Sequence, residues 1–211
     1  AVEIQFTAQD VSSYGKDNGQ SLAGLLADVG DIPGNYRIRI GMMNPATVME
    51  DLDGIIDAFS GDRIFKFIHI PVQSGSDSVL KRMGRRYTVA DFREIIAAFR
   101  KRFPDITLAT DVIVGFCGET DEDFSQSLDL VHRIRPNKVN VTRYSRRPFT
   151  PLSQEKDFPD SVKKDRSRLL LSCSEEIYAS LNGGCLGNVV PFIVTERVRN
   201  GSVMARSPSY Q

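Results

Sequence analysis

The chain has 211 residues with 27 Lys plus Arg against 27 Asp plus Glu, so its formal charge is zero and no strongly basic body announces nucleic acid. No apolar run is long enough to span a bilayer, and the length suits one large α/β domain or a smaller one with an appendage. The three cysteines, Cys117, Cys173 and Cys185, are widely spaced, which argues against a disulfide framework and a Cys-x-x-Cys metal site and leads us to expect a cytoplasmic, reduced setting without a membrane.

From the N-terminus, Val2 to Ala8 alternates apolar and polar residues without a lead-in, so the chain is expected to begin inside a strand, as a piece of something longer. Helix periodicity follows at Ser21 to Val29, a strand at Tyr36 to Met42, a helix at Ala46 to Phe59 and a strand at Phe65 to Ile70. Next come helices at Ser76 to Met83 and Val89 to Arg102. In the second, Phe92, Ile95, Ile96 and Phe99 share a face and Thr88 supplies the cap. The run Thr107 to Val114 predicts a strand whose end, Val112 to Val114, is buried on both faces. It stops at Gly115-Phe-Cys-Gly118, and Thr120 with Asp123 then caps a helix over Asp121 to Ile134. A strand at Lys138 to Tyr144, a loop to Pro159 and a long helix from Ser161 to about Leu181 complete the alternation. Gly183-Gly184 marks a boundary, beyond which Asn188 to Thr195 and Gly201 to Arg206 read as two short strands. Repeated strand-helix units imply right-handed crossovers and a parallel sheet, either open or curled into a barrel.

In a parallel sheet the C-terminal ends of all strands lie on one face, which makes their polar residues one candidate set. It comprises Thr7, Gln9 and Asp10; Arg39; His69, Gln73 and Ser74; Asp111 with Gly115 to Glu119; and Arg143, Tyr144 and Ser145. Such a rim suits an elongated ligand of ribose and amino-acid character better than a hydrolytic triad. Asp10 or Ser12 can equally be a turn residue, His69 a hydrogen-bonded core residue and Cys117 a packed thiol. Basic runs at Lys81 to Arg86, Arg100 to Arg102 and Lys163 to Arg168 read as solvated helix faces. Arg143, Arg146 and Arg147 follow a strand end, and with Arg197 and Arg199 they are the candidates for holding polynucleotide phosphates.

Three blocks together resemble the methylthiotransferases of the radical S-adenosylmethionine superfamily: Thr7-Ala-Gln-Asp-Val-Ser-Ser-Tyr-Gly15, His69-Ile-Pro-Val-Gln-Ser-Gly through Arg86-Tyr-Thr88, and Thr110-Asp-Val-Ile-Val-Gly-Phe-Cys-Gly-Glu-Thr through Phe124. The stretch Val141 to Pro151 is most similar to the branch acting on threonylcarbamoyladenosine in transfer RNA, in its archaeal and eukaryotic form. The resemblance implies an open partial (β/α) TIM-like barrel lacking its first strand over residues 1–184, and the start of a TRAM-like β module over 185–211. It implies S-adenosylmethionine as cofactor, two 4Fe–4S clusters in the full-length enzyme with none held by this chain, and transfer RNA and an electron donor as partners.

Carried onto matching positions, the resemblance puts the methionine end of the cofactor near Gln9 and Asp10, and has Arg39, Gln73 and Ser74 contribute to a polar cavity. The Gly115-Phe116-Cys117-Gly118-Glu119 turn and Tyr144 then flank the adenine. The implied function is addition of a methylthio group to N6-threonylcarbamoyladenosine next to the anticodon. A sister activity on isopentenyladenosine or on a ribosomal-protein aspartate, and a non-catalytic nucleotide- or RNA-binding module, are the alternatives.

Overall fold

The structure, a computed structural model, describes residues 2–150, 152–197 and 201–211, and its two compact units interleave along the chain. The first contains residues 1–70, 94–108 and 187–211; the second contains 71–93 and 109–186.

In the first unit β1 (Glu3–Phe6) pairs in parallel with β2 (Arg37–Ile40), in the register Glu3 to Arg37 and Phe6 to Ile40. Alternation decides the faces: Ile38 and Ile40 are fully buried, whereas Arg37 and Arg39 on the other face are half-exposed. The short β3 (Phe67–His69) is aligned by a parallel bridge from His69 to Met42. Helix α1 (Leu22–Asp31), capped by Ser21 on the Gly24 amide, packs against α3 (Leu52–Ala58).

The helix expected over Ala46 to Phe59 is in fact two. Asn44 caps α2 (Pro45–Met49) with Pro45 in its first turn, and the chain leaves helical geometry at Asp51 before α3 starts. The apolar stripe ran through the break because Val48, Ile55, Ile56 and Phe59 are all buried. Phe59 meets Phe99 edge-on at 5.3 Å, which shows why the periodicity of α5 (Val89–Arg102) was so clear.

The unit closes on an antiparallel hairpin, β6 (Ile193–Arg197) and β7 (Val203–Arg206), with a bulge between Val194 and Glu196. The segment after it returns along Lys66, whose amide donates to the Pro208 carbonyl at 2.8 Å, and places Tyr210 against Phe65 and Phe67.

In the second unit, residues Ala109 to Val114 of β4 (Thr107–Val114) pair in parallel with β5 (Lys138–Arg143). The strand end is not buried on both faces as expected: Val112 and Val114 are buried, but Asp111 and Ile113 are only partly covered and so line an accessible face. The capping box of α6 (Asp121–Ile134) is present as read, with Thr120 Oγ1 accepting from the Asp123 amide and Asp123 accepting from the Thr120 amide. Asp123 does more. Its carboxylate also accepts from Ser76 Oγ at 2.5 Å and Ser78 Oγ at 2.7 Å, tying α6 to the start of α4 (Asp77–Arg82). The long α7 (Asp160–Gly183) packs on both α6 and β5. No helix among the described residues is long and apolar enough to cross a membrane.

Burial works upward on the Asp123 carboxyl, but hydrogen bonds from Ser76, the Thr120 amide, Ser78 and the Thr120 hydroxyl outweigh it and hold the pKa at about 2, against an ordinary 3.8. A depressed carboxylate pKa contributes stability above 3.8 that is lost as pH falls toward 2. Asp123→Ala should therefore cost about 2 kcal/mol in urea unfolding at neutral pH. The gap between the two proteins should close across that acid window. A gap independent of pH would show that the cap acts without its charge.

Candidate functional site

The polar residues expected on one rim divide between the two units, and each group has its own surroundings. In the first unit Gln9 is exposed and Asp10 is fully engaged as a turn residue. One Asp10 oxygen accepts from the Ser12 amide and hydroxyl and from the Asn44 amide, and the other accepts from Thr47 Oγ1 at 2.7 Å. Its carboxylate thus fastens the 3-10 turn Val11–Ser13 to the start of α2, the local role that the sequence had left open. Arg39 projects from β2 as alternation required. It donates to Gln5 and lies over the rings of Phe67 and Tyr210, 4.9 and 5.1 Å from their centroids. Arg197 is the last residue of β6, and Arg199 lies outside the described residues.

In the second unit the Gly115 to Glu119 turn is built as an enclosed loop. Gly115 and Gly118 take φ of +70° and +74°, the left-handed region where a side chain is strained. Space above them is taken by neighbours rather than left open for a ligand. A Cβ on Gly115 would meet Lys163 Cγ at 2.6 Å, and one on Gly118 would meet the Arg82 guanidinium at 2.5 Å. Glu119, 1% exposed, folds back and accepts from the Gly115 amide at 2.7 Å. Arg166 of α7 then donates to the Glu119 carboxylate at 2.6 Å and to its carbonyl at 3.1 Å, and reaches Asp121 at 2.7 Å. Burial pushes the Glu119 carboxyl up, while the Gly115 amide and the Arg166 charge pull it back. Its second oxygen has no hydrogen-bond partner among the described residues.

Lys163, one turn earlier on α7, clamps the neighbouring strand end. Its buried ammonium donates to the Tyr144 carbonyl at 3.0 Å and pairs with Asp157 at 2.7 Å. Both cations correct the expectation that Lys163 to Arg168 is a solvated face. Positions 163, 166, 170, 173 and 177 repeat at intervals of three and four, and all five are buried, so the cations continue the stripe of Leu170, Cys173 and Ile177. That spacing was the available signal.

Gln73 and Ser74 lie at the turn before α4. Gln73 has φ of +68°, and its amide and carbonyl are bound to Asp111 O and Ile113 N, both at 2.8 Å. Ser74 is fully buried, within 3.4 Å of Ser127 Oγ and accepting from the Ser76 amide. It stabilises the turn.

A cavity of about 530 Å³ opens beside these elements. Its wall includes Ile113, Phe116 and Tyr144, the two rings meeting edge-on at 4.8 Å, and its mouth carries Arg82, Arg143 and Arg147. The structure thus brings together Phe116, Tyr144, Arg143 and Arg147 from the expected set and adds Arg82, which had been read as part of a solvated run. Arg146 turns instead to the Glu155 carbonyl. Burial raises the Tyr144 phenol, and a hydrogen bond with the buried Cys117 thiol raises it further. Cys117 is packed, as its surroundings in the sequence suggested.

The Radical SAM superfamily profile matches residues 2–131. This chain belongs to the radical SAM superfamily. Its resemblance to solved members of that superfamily lies in the fold: coproporphyrinogen III oxidase of Escherichia coli, a radical SAM enzyme, superimposes with a TM-score of 0.64 at 18% identity, over 83% of this chain and 40% of that one. The architecture is accordingly the partial (β/α) barrel of radical SAM enzymes. A protein of Pyrococcus abyssi named probable threonylcarbamoyladenosine tRNA methylthiotransferase is 46% identical over 209 residues, 99% of this chain and 49% of that protein. A tRNA-2-methylthio-N(6)-dimethylallyladenosine synthase of Acetivibrio thermocellus is 40% identical over 195 residues, 91% of this chain and 40% of that protein. The chain therefore spans about half the length of the curated relatives it matches.

Radical SAM chemistry relies on S-adenosylmethionine and an iron–sulfur cluster, and the residues present fit the two unequally. The aromatic-walled cavity has the size and character for an adenosine group. No three His, Cys, Asp or Glu side chains converge to hold a metal among the described residues.

Removing the Arg166 guanidinium strands the Glu119 carboxylate in a buried site. Arg166→Leu should lower stability by about 3–5 kcal/mol. Adding Glu119→Gln should restore part of that loss. Additive single and double variants in a denaturation cycle would show that the two groups do not act as a pair.

Proposed function

We propose that this chain is the barrel portion of a methylthiotransferase that modifies N6-threonylcarbamoyladenosine next to the anticodon of transfer RNA. The observation that carries the reading is the 46% identity extending over 99% of the chain to a relative of that name. Phe116, Ile113 and Tyr144 would hold the adenine of S-adenosylmethionine, with Gln9, Asp10, Arg39, Gln73 and Ser74 as the further cofactor-side residues the family pattern proposes. When bound, that cofactor supplies the methyl group and the 5′-deoxyadenosyl group from which radical chemistry starts.

What this chain contributes is position. Glu119, held by Arg166, donates its amide to the Phe116 carbonyl at 2.9 Å and so steadies the turn that bears this ring, and Lys163 fixes the carbonyl of Tyr144. An adenine laid against this edge-on pair is desolvated on an apolar wall and kept within reach of the strand ends, where proximity lowers the barrier. The cluster-binding segments, an electron donor and the rest of a TRAM-like module beginning near residue 185 belong to this reading as parts of the longer protein, which acts in the cytoplasm. Arg143, Arg146, Arg147, Arg197 and Arg199 are its proposed RNA-side residues. The sister reading, modification of isopentenyladenosine, draws on the 40% identity to the dimethylallyladenosine enzyme.

The full-length protein, supplied with unmodified transfer RNA and reductant under anaerobic conditions, should convert threonylcarbamoyladenosine to its 2-methylthio derivative, read by mass spectrometry of digested nucleosides. Methylthiolation of isopentenyladenosine instead would transfer the reading to the sister activity. Gly115→Val should reduce turnover by at least about tenfold, because a branched side chain at φ +70° meets Lys163 and displaces the turn. Unchanged turnover in that variant would remove the turn from the site.

A further inference from the structure

Two sets of cations in the second unit contrast. Lys163 and Arg166 are buried and each has a carboxylate within 2.7 Å. Arg82, Arg143 and Arg147 surround the mouth of one cavity, and among the described residues none of their guanidinium groups has an ion pair or a hydrogen bond. No residue lining that cavity is acidic. Three like charges gathered on one mouth repel one another, and an anion laid between them would relieve that repulsion. S-adenosylmethionine suits this rim poorly, since its sulfonium and ammonium outweigh its single carboxylate.

We propose that Arg82, Arg143 and Arg147 form a phosphodiester-binding rim over which a single RNA strand crosses the cavity mouth. This goes beyond the proposed reaction: it adds Arg82, from the end of α4, to the RNA-side residues, while Arg146, turned to the Glu155 carbonyl, stands outside this rim. Guanidinium forks match the paired oxygens of phosphodiester groups. The choice of an RNA strand over an acidic peptide rests on the proposed function. Arg82 is also pre-oriented, because its guanidinium rests on Gly118, where any side chain would displace it. This gives Gly118 a second reason to be glycine beyond its φ of +74°.

The test uses the full-length protein and fluorescence anisotropy of an end-labelled single-stranded ribonucleotide hexamer. Binding should weaken with salt, and a hexamer of the same bases with neutral methylphosphonate linkages should bind at least about tenfold more weakly. Arg82→Gln and Arg147→Gln should each lower hexamer affinity about tenfold and reduce the salt slope by about one. Arg133→Gln, which removes the same charge from the exposed end of α6, serves as the control and should do neither. Equal binding of charged and neutral hexamers overturns the proposal, as does equal sensitivity to Arg133→Gln. Competition by AMP or inorganic phosphate as strong as by unlabelled hexamer would make this a small-anion site and overturn the strand. Equal competition by oligoglutamate would overturn the nucleic-acid assignment. Because the readout is binding rather than methylthiolation, a failed reaction and a failed rim are told apart.

Discussion

One guanidinium, that of Arg166, holds the geometry on which the second unit depends. The Gly115 to Glu119 turn reverses the chain within five residues, and its acid folds under its own first amide. A carboxylate so buried is stable only with a cation beside it, and the cation comes from a helix that starts some forty residues later. Forming the turn and docking α7 are therefore one event, and the strand end that bears Tyr144 is drawn in through Lys163 at the same time. A flexible glycine turn, costly in entropy by itself, becomes a fixed platform.

This arrangement decides what the glycines are for. In the sequence, the resemblance set the turn that carries them beside an adenine. In the structure Lys163 and Arg82 occupy the space above them, so the glycines admit the protein's own side chains, and Phe116 and Tyr144 wall the neighbouring cavity. Positive φ and steric room are separate demands here, and both fall on the same two residues.

Much of the alternating architecture was legible because each strand announced itself by β-branched runs or alternation and each helix by a three-to-four repeat. Strand β4 and helices α5 and α6 have the expected bounds, and the capping box of Thr120 and Asp123 is local chemistry that any chain of that spacing forms. The break at Asp51 was invisible because a single non-helical residue left the apolar faces of α2 and α3 nearly in phase. Long-range pairing was harder still. Lys163 and Arg166 read as surface charges because their carboxylate and carbonyl partners stand elsewhere in the chain, and a periodicity scan that counts only apolar residues skips them. Arg82 escaped for the opposite reason: it sits in a basic run, and only the fold shows which of those arginines overlooks the aromatic cavity. Asp10, expected among the cofactor-side residues, spends its oxygens on Ser12, Asn44 and Thr47.

Gln73 holds a left-handed backbone at +68°, and its amide and carbonyl stitch the turn before α4 to Asp111 and Ile113. A residue with a Cβ keeps that conformation at a cost of order 1 kcal/mol or more, so glycine would be the easier choice for the main chain alone. A randomised library at this position would consequently separate two selective forces. Selection for folding would drift toward glycine and asparagine, whereas selection for catalysis would retain glutamine only if its carboxamide does something that the backbone cannot.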